Sequence, residues 1–170
     1  MNGIFGLFRR DGAPIAPTDW QKMRKSMARW GSNTSNCWLK DCTGLGLARF
    51  SNVLDPCQND PLSGDIANSQ AFIAAGRVDN RTELIAHLSS VDLAETTSDA
   101  ALLRQAYQEW GEACVEHIYG DWAFAAWHPI ERKLFLARDH FGNTALYYYA
   151  DERVFAFASD RQALLALNLT

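Results

Sequence analysis

Four short runs of β-favouring and apolar residues, 122–127, 133–138, 145–150 and 154–158, crowd the last third of the chain. Pro129-Ile130-Glu131-Arg132, Phe141-Gly142-Asn143 and Asp151-Glu152 lie between them, and strands of this length with turn residues at this spacing predict an antiparallel meander. The other end also opens on a strand. In residues 2–8, Ile4, Phe5, Leu7 and Phe8 lead to the turn signal Arg9-Arg10-Asp11-Gly12. Two further short strands, 36–40 and 45–50, flank Asp41-Cys42-Thr43-Gly44. An apolar run over 71–79 completes the set. So many short strands leave little room for anything but a β-rich fold.

Helical periodicity appears between and after these strands. Thr18 stands as an N-cap ahead of Trp20, Met23, Met27 and Trp30, which share one face up to Gly31. Asn80 and Glu83 occupy the two reciprocal positions of a capping box after the 71–79 strand. Ser98 opens a helix through about Trp110, with Ala101, Leu102, Ala106 and Tyr107 apolar and Gly111 as the stop. Ser159 is placed to cap a last helix. The stretch 51–68, rich in Asp, Asn, Pro and Ser, reads as a surface loop long enough to cover something. The resulting class is α+β, with sheets buried against each other and helices outside. No linker or repeat divides the 170 residues, so one domain is expected.

Composition narrows the chemistry. A formal net charge of −4 offers no basic face to a polyphosphate, so nucleic acid is not an expected partner. No apolar run approaches the roughly 20 residues that span a bilayer, which predicts a cytoplasmic protein without membrane contact. Cys37, Cys42, Cys57 and Cys114 form no Cys-x-x-Cys pair and the four histidines are scattered, so no metal site is signalled. His128 and His140 lie beside turns without a partner pattern. Arg138-Asp139 reads as a structural charge pair rather than a catalytic dyad.

One family resemblance covers nearly the whole chain. Its strongest part is Gly120-Asp121-Trp122-Ala123-Phe124-Ala125, then Leu136-Ala137-Arg138-Asp139-His140-Phe141-Gly142, Leu146-Tyr147-Tyr148 and Phe157-Ala158-Ser159-Asp160. In that order and spacing these segments resemble the N-terminal nucleophile glutaminase domain of class II amidotransferases, specifically of asparagine synthetases and their relatives. The opening residues resemble that family's Met-Cys-Gly-Ile start, Ala75-Gly76-Arg77-Val78-Asp79-Asn80 its Asn-Gly-Glu-Ile-Tyr-Asn segment, and Ser98-Asp99 its Thr/Ser-Asp. The resemblance implies a four-layer αββα sandwich. It also implies that residues 1–170 are a glutaminase-type domain without the ATP-binding synthetase domain and its Ser-Gly-Gly-x-Asp-Ser loop.

In active members the cysteine after the initiator methionine attacks the glutamine amide, and its own α-amine moves the proton. Here Asn2 holds that position, and a carboxamide has neither a thiol nor a usable lone pair on nitrogen. A bulky second residue also disfavours removal of Met1. Ala75 replaces the side-chain donor of the family's oxyanion hole, Gly76 keeps the backbone donor, and Arg77 replaces an acidic residue with a cation that repels the substrate's ammonium. Arg49 matches the arginine that pairs with the glutamine carboxylate, and Asp99 the aspartate near the α-amino group. Each also has a plainer reading, an ion-paired strand-end arginine and an aspartate favoured by the helix dipole.

The expectation is a non-hydrolytic, degenerate glutaminase-type domain that supports a C-terminal synthetase or cyclase domain, in cis or in trans. ATP and magnesium would belong to that domain and no cofactor to this one. The Gly76-Arg77-x-Asp79-Asn80-Arg81 form resembles lasso-peptide cyclases, relatives that, like β-lactam synthetases, take their amine from the substrate. A precursor peptide would then be a partner. Two alternatives stand beside it: a stand-alone glutamine- or protein-binding module, and an active-family glutaminase whose Cys has been replaced.

Overall fold

The computed structural model describes residues 2–30, 33–49, 71–89 and 97–168. Along them run β1 (Gly3–Arg9), α1 (Pro17–Met27), β2 (Asn33–Lys40), β3 (Thr43–Arg49), β4 (Ala71–Val78), α2 (Arg81–His87), α3 (Asp99–Trp110), β5 (Gly120–His128), β6 (Lys133–Arg138), β7 (Tyr147–Ala150), β8 (Val154–Ala158) and α4 (Arg161–Leu165). Short 3-10 turns, Ala28–Trp30 and Gly111–Glu116, follow α1 and α3. The expected loop 51–68, Gly31 and Cys57 lie outside the described residues.

The chain divides into two units, Met1–Leu54 with Ala145–Thr170, and Asp55–Thr144. The first holds a five-stranded antiparallel sheet in the order β2-β3-β1-β8-β7. Strand alternation gives β1 two faces, and Phe5 and Leu7 pack with Trp20, Met23 and Met27 of α1 and Ala163 of α4. Met23 and Met27 are fully buried, so the stripe read from the sequence is core. The second unit holds the antiparallel sheet β4-β5-β6. Phe72, Ala74, Val78, Trp122 and Phe124 on one face pack with Leu102, Leu103, Ala106 and Tyr107 of α3.

The expected meander is therefore two separate hairpins. β5 and β6 pair in one sheet, while β7 and β8 pair in the other, where β8 lies against β1. The turn 139–144 between β6 and β7 does not close a ladder. Asp139 accounts for this, being buried at 3% exposure and accepting N–H bonds from Asn143 at 2.9 Å and Thr144 at 2.8 Å. That carboxylate serves the backbone of the turn, so the expected Arg138-Asp139 charge pair is corrected to a loop anchor.

Three cap assignments also change. α1 begins with Pro17 after Ala16, which makes no side-chain cap, because proline supplies a fixed helical φ and lacks an N–H to satisfy; Thr18 is inside the helix. Asn80 precedes α2 without capping it, since its Nδ2 donates to His117 O at 2.9 Å and its Oδ1 accepts from Tyr119 N at 3.0 Å. Asp160 rather than Ser159 caps α4, through Gln162 N at 2.9 Å. Ser98 does cap α3, accepting from Ala101 N at 3.3 Å, and Gly111 ends it at φ 58°.

Ser159 has another task. Its Oγ accepts the Ile4 N–H at 3.0 Å while its own N–H donates to Ile4 O at 2.8 Å, fastening the start of β1 to the end of β8. Ser159→Ala is expected to leave a buried N–H without its acceptor and lower stability by about 1–3 kcal/mol, checked by urea unfolding. An unchanged midpoint would show that the Ile4 N–H has another partner.

Asp160 is 3% exposed and accepts from Trp30 Nε1 at 2.8 Å and from Arg29 Nε as well as Gln162. Burial pushes its carboxyl up, but the Gln162, Trp30 and Arg29 donors outweigh burial and hold it below the ordinary carboxylate range. Asp139 follows the same pattern, with burial opposed by Thr144 and Asn143. Both groups bind a proton more readily unfolded than folded, so the stability they add is present above the unfolded value near 4 and is lost as pH falls through the folded values. Asp160→Asn is expected to melt lower than the parent at pH 7, with the gap closing below about pH 4. A gap that stayed constant down to pH 3 would contradict that assignment.

His128 has a partner after all. Its Nε2 lies 2.8 Å from the Tyr107 hydroxyl, and the Tyr107 ring stacks on Phe135. No disulfide joins Cys37, Cys42 or Cys114, and burial pushes the Cys114 thiol up to about 12, which removes it as a nucleophile at neutral pH. No described helix is long and apolar enough to cross a membrane.

Candidate functional site

In the first unit, Asn2 leads into β1 and Arg49 ends β3. Gly3 pairs with Ala48 in the antiparallel ladder, so the register carries Asn2 and Arg49 to the same end of neighbouring strands. Both are half-buried. The sequence keeps this end narrow: a side chain on Gly3 would meet Met27 Cε at 2.9 Å and the Trp30 ring at 3.2 Å. Arg49 Nε is buried with no hydrogen-bond partner among the described residues. A buried guanidinium N–H without an acceptor is costly unless something supplies one.

In the second unit, Ala75 and Gly76 lie near the end of β4, opposite Ala123 and Trp122 of β5. Ala75 is 3% exposed and, by strand alternation, faces away from the side on which Phe72, Ala74 and Val78 pack with α3. Gly76 has φ +135°, and a Cβ there would stand 2.2 Å from Asp121 O and 2.5 Å from Trp122 Cα. The backbones approach so closely that only glycine fits.

Arg77 is exposed but not bare. Its Nε donates to Asp79 Oδ1 at 2.7 Å, and its Nη2 reaches Asp79 Oδ2 at 3.2 Å and Asp121 Oδ2 at 3.4 Å. Asp121 also accepts from Asn143 Nδ2 at 2.8 Å. Two carboxylates, Asp79 and Asp121, thus partner this cation. Asp99, in the first turn of α3, forms an ion pair with Arg81, whose Nη2 also donates to Thr97 O at 2.5 Å. The plain helix-dipole reading left out this partner.

Arg49 and Asn2 therefore share one end of the first unit's sheet, whereas Asp99 is held by Arg81 at the start of α3 in the second. Sequence reading did not single out Asp79, Asp121, Asn143 or Arg81 as members of these networks. Arg77 and Asp79 could have been paired, because Asp79 follows directly on β4 and residues two apart in extended chain share a face. Asp121 and Asp99 lie 44 and 18 residues from their arginines, so no local pattern announces them.

Among the described residues no group of three or more His, Cys, Asp or Glu side chains is arranged to hold a metal ion.

The family described as glutamine amidotransferase domain matches residues 1–170. Asparagine synthetase [glutamine-hydrolyzing] 3 of Bacillus subtilis is 30% identical over 147 residues, covering 85% of this chain and 24% of that protein. Asparagine synthetase [glutamine-hydrolyzing] 2 of the same organism is 34% identical over 144 residues, covering 85% of this chain and 19% of its own length. Among solved structures, the glutamine phosphoribosylpyrophosphate amidotransferase of B. subtilis, complexed with ADP and GMP, superposes with a TM-score of 0.73 at 18% identity. That superposition covers 99% of this chain and 44% of that one. This likeness shows the fold, the α+β sandwich class expected from the sequence. The chain spans only about a quarter or less of the two synthetases it matches.

Proposed function

We propose, from the premise that this chain belongs to the glutamine amidotransferase domain family, that it is a non-hydrolysing member serving an asparagine-synthetase-like, amide-forming enzyme. The observation that supports this reading is Asn2, a carboxamide at the residue leading into β1, where the resemblance places the nucleophilic cysteine. Glutamine hydrolysis through an acyl-enzyme needs a sulfur or oxygen nucleophile whose proton a base can take. The Asn2 nitrogen is delocalised into its carbonyl and cannot serve. Ala75 in place of a side-chain donor weakens the same step, since one lost oxyanion donor costs about 3–4 kcal/mol of transition-state stabilisation.

The enzyme it serves takes its amine from the substrate, as lasso-peptide cyclases and β-lactam synthetases do, so released ammonia is not needed. Its synthetase or cyclase region, in cis or in trans, supplies the ATP and magnesium chemistry, and a precursor peptide is the acceptor. The Arg77-x-Asp79-Asn80-Arg81 segment supports the cyclase form. The setting is the cytoplasm.

Incubation with a glutamine-mimicking electrophile, followed by intact mass measurement, tests the reading. No adduct at the amino end and no glutamine-dependent ammonia above a heat-treated control are expected; covalent labelling there would overturn it.

One observation favours a second reading, a glutamine-binding module. The buried Arg49 Nε, unsatisfied among the described residues, would gain an acceptor from a ligand carboxylate. A rise in melting temperature with millimolar L-glutamine, abolished by Arg49→Met, would support it, and no shift in either chain would remove it.

A further inference from the structure

The turn 139–144 is built with more care than a connection requires. Asp139 is tied to the end of the β-ladder by its N–H on Trp122 O at 2.8 Å, and its O accepts Gly142 N–H at 3.1 Å. Its carboxylate takes the next two N–H groups, of Asn143 and Thr144, and the Asn143 side chain is fixed in turn on Asp121. Gly142 adopts φ +70°, with the Arg138 guanidinium packed over it, since a Cβ there would meet Arg138 Cζ and Nη2 at 3.2 Å.

All of this holds one side chain out. Phe141 is 85% exposed, with the His140 ring edge-on to it at 5.5 Å between centroids. An exposed phenylalanine forgoes burial that is ordinarily favourable, and here the loop cannot fold it back. A turn whose backbone is already fixed loses little further entropy on docking, and an aromatic side chain has few rotamers to lose, which is how interface anchors work. Arg138 beside it is exposed, and no carboxylate pairs with it among the described residues. A partner surface complementary to this pair has an apolar pocket with an acidic rim.

We propose that Phe141, flanked by Arg138, is the anchor by which this domain docks on the ATP-dependent ligase region of its enzyme. The inference rests on the function proposed above. It draws on the size of the matched synthetases, three-quarters or more of whose length lies outside the matched part, and on the charge of Arg138, which no carboxylate pairs among the described residues, within a chain of net charge −4.

The test uses the complete reading frame with photoreactive benzoylphenylalanine at position 141, and separately at Ile130, an equally exposed residue on the β5–β6 turn. After irradiation, peptide mapping of the 141 protein is expected to find the adduct on a ligase-region peptide, and the 130 protein to give none. Arg138→Glu should lower the 141 yield about tenfold, by placing a carboxylate against an acidic rim, and Arg138→Lys should retain most of it. Adducts confined to residues 1–170, or a yield indifferent to Arg138→Glu, would overturn the docking proposal alone. A reading frame and gene neighbourhood without any ligase region would instead remove the functional reading, and the docking proposal with it.

Discussion

Asn2→Cys combined with Ala75→Asn and Arg77→Glu, with Met1 removed, is expected to release ammonia from glutamine where the parent chain releases none. The first change restores a thiol and frees its α-amine, the second a donor for the oxyanion, the third an acceptor for the substrate ammonium. Asn2→Cys with Ala75 left in place should be slower than the triple variant by about 10²–10³-fold, the usual effect of one oxyanion donor on kcat. The structure also says what these changes strain. Ala75 is buried opposite Ala123, so a larger side chain there costs about 1–3 kcal/mol, and a glutamate at 77 would face Asp79 and Asp121 without the cation that now joins them. Thermal melting must accompany the assay. A folded triple variant with no turnover would show that the scaffold no longer presents these positions as a glutaminase does. Ammonia release by the parent chain would refute the premise directly.

Gly76→Ala is the substitution with the largest expected effect on stability. The methyl would enter backbone atoms on β5, Asp121 O at 2.2 Å and Trp122 Cα at 2.5 Å, at a φ that L-residues rarely adopt. Neither neighbour is the far end of a flexible side chain, so β4 and β5 must separate. A loss of 3 kcal/mol or about that is expected, enough to reduce soluble yield sharply. Gly111→Ala is the control. It also has positive φ, but nothing lies within 4 Å of its added methyl, and it should lose only about 1 kcal/mol. Equal losses in the two variants, measured by chemical unfolding, would mean that φ strain alone accounts for the effect and that the close approach at Gly76 does not matter.

Most of the elements were legible because their signals are local. The ranges of β6 and β8, the Ser98 cap and the Gly111 stop follow from alternation and from residues adjacent in the chain. The division of the last four strands between two sheets was not. Hairpin spacing cannot distinguish a turn that closes a ladder from one like 139–144, whose geometry is set by a buried aspartate. Two of the three misplaced caps share a cause: Asn80 and Ser159 can each cap a helix, but distant backbone groups, on 117–119 and Ile4, claimed their side chains. The candidate site shows the same limit. Its residue identities were readable one by one, whereas Asp121, which reaches Arg77 from β5, and Asp99, which pairs with Arg81 from α3, come from other elements.

The pairing of β1 with β8 brings Phe5 opposite Ala158 and Arg9 opposite Val154. A ribosome must therefore deliver the chain as far as Ala158 before the middle strand of that sheet can acquire its second neighbour, whereas β4, β5 and β6 all lie within 71–138 and are synthesised sooner. Nascent β1, apolar and half-paired, has to be kept from other strands during that interval, which makes the order of synthesis a hazard built into the topology.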